Sequence, residues 1–122
     1  MVTRRFTPKS TASDAPIRPF TTAEEAWFWF ARCQITRRLG ARFDTSLGAS
    51  QRPCDPDDVY RVVLRLQRRG TIRRDHLDVL GQFGFLGRPP DPRHEEEQTP
   101  SRLWEEALDH LLTPLREKGI VA

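Results

Sequence analysis

Residues 55–84, DPDDVYRVVLRLQRRGTIRRDHLDVLGQFG, read as two helices joined by a tight glycine turn. Asp55 is a good cap, Pro56 is pre-set for the first helical position, and Asp57 and Asp58 complement the positive end of the helix dipole. Val59, Val62, Val63 and Leu66 recur at i, i+3, i+4 and i+7 and form an inward stripe, widened by Tyr60 and Leu64. Gly70 breaks this helix and Thr71 can cap the next, which carries Ile72, His76, Leu77, Val79, Leu80 and Phe83 on one side and Asp75, Asp78 and Gln82 on the other. With Gly84 closing it, the pair has the spacing of helix-turn-helix modules, including a leucine four residues before the closing glycine. Caps, stripe and turn agree here, so this pair is expected to be the organising unit of the core.

The outer face of the pair is rich in arginine. Arg61, Arg65, Arg68 and Arg69 lie opposite the valine stripe, Asp57 can pair with Arg61 at i+4, and Arg73 and Arg74 extend the patch past the turn. A solvated helix face accounts for such a pattern. Phosphate contact is the other reading, because only two acids stand at the far end and the last two turns are left strongly basic. Only Arg73, Arg74 and Gln82 are placed to reach base edges, so any contact would be chiefly with the backbone and would carry little sequence specificity.

Upstream, Thr22-Ala23-Glu24-Glu25 is a capping box that starts a helix running to Gly40. Its aromatics Trp27, Phe28, Trp29 and Phe30 are consecutive, so at about 100° per residue they point in four directions and one face cannot bury them all. Either the helix is central and packs against several others, or part of the aromatic set is exposed as a protein-interaction or dimer surface. Cys33, Ile35 and Leu39 extend the buried side, while Arg32, Arg37 and Arg38 stay in water. Residues 41–54 have no period and read as a loop pinned by Phe43 and Leu47. Gly48 is followed by no Gly-Lys-Ser/Thr sequence, which excludes a nucleotide-hydrolysing loop of that type. Residues 1–20 are rich in Ser, Thr, Pro and basic residues with few apolar anchors, and are expected to form a flexible basic tail. Pro8, Pro16 and Pro19 argue against an amphipathic targeting helix there.

Downstream, Phe85 and Leu86 are expected to tuck under the core before GRPPDPRHEEEQTP, a semi-rigid acidic connector. A last helix starts near Pro100 with Thr99 as cap, or earlier if Asp91-Pro92 begins it. Its central stripe is Trp104, Leu108, Leu111 and Leu115, flanked by Leu103, Ala107 and Leu112. Pro114 should kink this helix or start a new turn capped by Thr113. Gly119 ends it, with Ile120 and Val121 folding back.

Composition narrows the classes. With 37% hydrophobic and 30% charged residues in 122, the chain is an ordinary globular one, long enough for one modest core over 21–122. Residues 1–88 carry a formal +7 and residues 89–122 a formal −4, a division that fits either a polyanion partner or internal complementarity. Eighteen of the twenty basic residues are Arg, which suits bidentate phosphate contact. No run approaches the roughly 18 apolar residues of a membrane span, and no secretory pattern opens the chain, so a cytoplasmic protein is expected.

Chemistry-bearing constellations are sparse. Glu95, Glu96 and Glu97 beside His94 are adjacent on a connector rather than convergent, and His76 and His110 add no ligand spacing, so no metal and no cofactor are expected. Cys33 and Cys54 have neither zinc spacing nor a Cys-x-x-Cys pair and are expected as thiols. Cys54, at a helix start where a thiol pKa can fall, is the best candidate for a reactive one. With no nucleophile and base in a recognisable frame, the chain is not expected to be an enzyme.

RPCDPDDVYR at 52–61, GRPPDPR at 87–93, LWEEALDHLL at 103–112 and LREKGIV at 115–121 together resemble a family of short alphaproteobacterial all-helical proteins with no assigned activity. The resemblance covers about 21–121. It implies a compact helical unit and brings no catalytic residues and no cofactor. The expectation is therefore an all-α chain, a small orthogonal bundle of about four helices containing a helix-turn-helix-like pair. It would act as a nucleic-acid-associated or regulatory binding protein through Arg61, Arg65, Arg68, Arg69, Arg73 and Arg74. The alternative is a protein-protein adaptor that uses Trp27, Phe28, Trp29 and Phe30.

Overall fold

Four helices follow from local start and stop signals. The structure, a computed structural model, describes residues 18–38 and 54–122. The tail over 1–17, the loop over 41–53 with Phe43 and Leu47, and Leu39 and the stop at Gly40 lie outside the described residues. Helix α1 is Ala23–Arg38, α2 Pro56–Arg68, α3 Arg74–Leu86 and α4 Gln98–Glu117, the last preceded by a 3₁₀ turn over Glu95–Glu97.

The start signals work largely as the sequence implies. At α1 the Glu25 amide donates to Thr22 Oγ1 (3.0 Å), while the Glu25 carboxylate accepts the amide of Thr21 rather than that of Thr22 (2.8 Å). At α2, with Asp55 as cap and Pro56 first, the Asp58 carboxylate accepts the Asp55 amide (3.1 Å). Arg61 then pairs with Asp58 (2.9 Å), not with Asp57, which reaches across to Arg37 of α1 (3.5 Å). Thr71 does not cap α3: the cap is Arg73, and Ile72 is buried in the turn before the helix.

The stops separate four glycines by role. Gly70 (φ 79°) and Gly119 (φ 76°) take left-handed conformations that side chains disfavour. Each completes a Schellman motif: Thr71 N to Leu66 O (2.9 Å) and Gly70 N to Gln67 O (3.0 Å), then Ile120 N to Leu115 O (2.9 Å) and Gly119 N to Arg116 O (3.0 Å). Helix α3 ends at Gly87 (φ 78°), not at Gly84. Gly84 lies inside the helix, buried, with Trp27 against it.

Packing corrects the expectation about what organises the core. Helices α1 and α4 each pack against both α2 and α3 and against each other, whereas α2 and α3 hardly touch. The valine stripe of α2 and the Val79–Leu80–Phe83 stripe of α3 are both buried, but they face α1 and α4 rather than one another. The helix-turn-helix order is present, and the turn serves to send its two helices apart.

Two indole N–H groups tie α1 into this arrangement. Trp27 Nε1 donates to the Leu80 carbonyl of α3 (2.9 Å), and Trp104 Nε1 of α4 donates to Glu24 Oε2 (2.8 Å). Along α4 the buried line is Ser101, Leu103, Trp104, Ala107, Leu111 and Leu115, while Leu108 and Leu112 are half-buried. The helix begins at Gln98 without a Thr99 cap and runs through Pro114 to Glu117 without starting a new turn there. Ile120 and Val121 fold back as expected and are buried. Phe20, the last residue of the stretch read as tail, is fully buried and forms a parallel bridge with Val121. Phe85 and Leu86 do not tuck under the core; they are 71% and 52% exposed, because α3 continues past Gly84 and carries them outward on its last turn.

Candidate nucleic-acid interface

The arginine face is built by helix periodicity on a fully committed opposite side. With Val59, Val62, Val63 and Leu66 in the core, Arg61, Arg65 and Arg68 must point outward at i, i+4 and i+7, and all three are exposed. Arg69 is the C-cap of α2, Arg73 the N-cap of α3 and Arg74 its first residue, and these too are exposed. The six thus follow one another along α2, the turn and the start of α3.

The six are not electrostatically alike. Arg61 pairs with Asp58 (2.9 Å), Arg73 with Asp75 (3.4 Å) and Arg74 with Asp78 (3.6 Å). Arg65, Arg68 and Arg69 have no ion pair among the described residues. Part of their role is local, since cations at a helix C-terminus complement its dipole. On α3 the exposed side mixes Arg74, Asp78 and Gln82, so its charge is close to balanced.

The acidic connector answers its own arginines. Arg88 makes a two-pronged contact with Glu97 (3.0 and 2.9 Å), and Arg93 holds Asp91 (3.0 Å). The Arg93 side chain and backbone amide bring Asp91 down to about 2. The Arg88 guanidinium and the Asp91 amide do the same to Glu97, also to about 2. A hollow lined by Arg88, Pro90, Asp91, Arg93, His94 and Glu97 lies over this network and is open to solvent. None of these acids pairs with the arginine edge.

The aromatic run does not form one surface. Trp27 and Phe30 are buried, and Phe28 and Trp29 are half-buried. Each ring has a neighbour in the chain: Trp27 with Phe30 (5.0 Å), Phe28 with Trp104 (5.4 Å), Trp29 with Phe20 (5.2 Å) and Phe30 with Tyr60 (5.7 Å, stacked). Central packing of α1 against three helices produces this dispersal.

Cys54 is not an activated thiol. Burial first, then Asp58, Asp55 and Cys33, raise it to about 11. Burial also raises Cys33, and both cysteines are free.

One arrangement adjoining the edge was not anticipated. His76, 1% exposed, accepts the Arg73 amide at Nδ1 (3.0 Å) and faces Glu106 Oε1 of α4 at Nε2 (3.1 Å). Because Nδ1 is an acceptor, the ring proton sits on Nε2 and is donated to Glu106. The signal was present as a capping-box spacing with His in place of Glu or Gln. Its reach to α4 had no local trace. Among the described residues no group of three His, Cys, Asp or Glu side chains is placed to hold a metal ion, and no helix is long and apolar enough to cross a membrane.

Comparison with known protein families, curated proteins and solved structures finds no match.

Proposed function

We propose that the chain is a small nucleic-acid-associated binding protein, not a catalyst, that grips phosphate backbone along the edge formed by the last turns of α2 and the following turn. The observation that carries this reading is the row Arg65, Arg68 and Arg69, exposed and without acidic partners among the described residues, while Asp91 and Glu97 of the connector are held by Arg93 and Arg88. Arg61 and Arg74, each with a single contact to an acid of its own helix, are the supplementary contacts, and exchanging such an exposed carboxylate for a phosphate costs little.

Duplex DNA binding measured across a salt series tests it. Affinity should fall with salt with a slope of about −0.9 for each phosphate neutralised, and replacing Arg65, Arg68 and Arg69 together by Ala should reduce that slope by roughly 2.7. Random and fixed sequences should bind alike, since backbone contacts carry no sequence information. Affinity that does not change between low and moderate salt removes the reading.

A protein-interaction reading has one observation in its favour, and it is not the aromatic run. Phe85 and Leu86 are adjacent and exposed at the end of α3, which makes that turn the better position for a protein contact.

A further inference from the structure

The edge borders a buried, titratable side chain whose hydrogen bonds are compatible with only one protonation state. His76 Nδ1 accepts the Arg73 amide at 3.0 Å while Nε2–H is donated to Glu106 at 3.1 Å. A second proton on the ring would set an N–H against the Arg73 N–H. Asp75 Oδ1, which already accepts the His76 amide at 2.8 Å, lies 3.7 Å from Nδ1. That carboxylate is what neutralises Arg73, with Arg73 Nε 3.4 Å from Oδ1 and Nη2 3.4 Å from Oδ2.

We infer that protonation of His76 is a switch on the phosphate-binding edge: the charged imidazole draws Asp75 from Arg73, and the released guanidinium becomes an additional phosphate contact. The inference rests on the phosphate reading of the edge. The groups that face the ring are Glu106 and His110 from α4, the latter with its ring edge-on at 6.4 Å, Asp75 from α3, and Arg73 at the turn. No α1 or α2 side chain forms an ion pair or hydrogen bond with it among the described residues. The Glu106 contact, made through Nε2–H, survives protonation and continues to hold α3 to α4.

The variant that isolates the switch is His76→Gln. Glutamine is the usual residue at the third position of a capping box and can accept the Arg73 amide, but it does not titrate. Two measurements on the full chain separate the switch from the reading beneath it. In an NMR titration from pH 8 to pH 5, the Arg73 amide and side-chain Nε–H should move with the same midpoint as the His76 ring in the wild type and stay still in His76→Gln. Arg73 signals that ignore the His76 midpoint, or loss of helicity through that midpoint, overturn the switch whatever the DNA result. In duplex-DNA binding, the wild-type salt slope should steepen by about 0.9 on acidification, the value for one added phosphate contact, and His76→Gln should show no such change. Equal pH dependence in the two proteins overturns the switch. Absence of binding at every pH overturns the phosphate reading, and with it this regulatory role.

Discussion

Gly81 and Gly84 sit three residues apart in α3 and predict opposite outcomes for the same substitution. A Cβ added at Gly84 would lie 2.9 Å from Trp27 Nε1 and 3.3 Å from Ala31 Cβ, whereas one at Gly81 meets nothing within 4 Å. Relief of glycine backbone entropy makes Gly81→Ala stabilising by about 0.5–1 kcal/mol. The same gain at Gly84 is outweighed, because overpacking costs about 1–3 kcal/mol and pushing α1 away also strains the hydrogen bond from Trp27 to the Leu80 carbonyl. Gly84→Ala should therefore lower the thermal midpoint while Gly81→Ala raises it, by roughly 4–8 °C per kcal/mol for a domain of this size. If both substitutions move the midpoint in the same direction, the close approach of α1 and α3 is wrong. The sequence showed that Gly84 follows an apolar stripe, and a glycine there reads equally as a stop or as a point of contact. Only the later left-handed Gly87 decides between them.

Among elements, the connector between α3 and α4 shows how a charged stretch becomes structure. Asp91 and Glu97 looked free to answer the basic body, but Arg93 and Arg88 lie within the same segment and claim them first. Asp91 and Glu97 titrate in the folded chain near about 2, below their ordinary 3.8 and 4.5. A folded value below the unfolded one means that these contacts contribute fully above the ordinary values and lose their contribution as pH falls toward about 2. Arg88→Gln should return the Glu97 titration toward 4.5 and leave Asp91, which Arg93 holds, close to its low value. Carbon-13 detection of the two carboxyl groups measures this directly, and an unmoved Glu97 would refute the assignment of Arg88 as its partner. The helices themselves were readable, since the caps at Thr22 and Asp55, the α2 stripe and the stops at Gly70 and Gly119 are all local signals. The partners of those stripes were not. Periodicity tells which side of α2 and α3 is buried, but not that both face α1 and α4. For the same reason the arginine edge was readable residue by residue, while the His76–Glu106 contact beside it was not.

For the whole molecule, the joining of the two ends of the described chain carries the largest single expectation. Phe20 N donates to the Ile120 carbonyl and Ala122 N to the Phe20 carbonyl, both at 2.8 Å, and Arg116 Nε holds the Ala122 carbonyl at 3.0 Å. The Phe20 side chain has no exposed surface and packs 5.2 Å from the Trp29 ring, within the same core cluster as Ile120 and Val121. The fold-back of Ile120 and Val121 was implied by Gly119. The place of Phe20 was not, because a lone aromatic beside prolines carries no period. Truncating a buried Phe to Ala costs about 3–5 kcal/mol, against a total stability of about 5–15 kcal/mol for a typical domain. Phe20→Ala should therefore leave a protein close to its folding threshold, with a urea midpoint well below the wild type and an unchanged slope. Phe85→Ala removes the same side chain from a 71% exposed position and should shift stability by no more than about 0.5 kcal/mol. Equal losses in the two variants would show that Phe20 is not part of the core, and the joined ends would then be an incidental contact rather than the closure of the bundle.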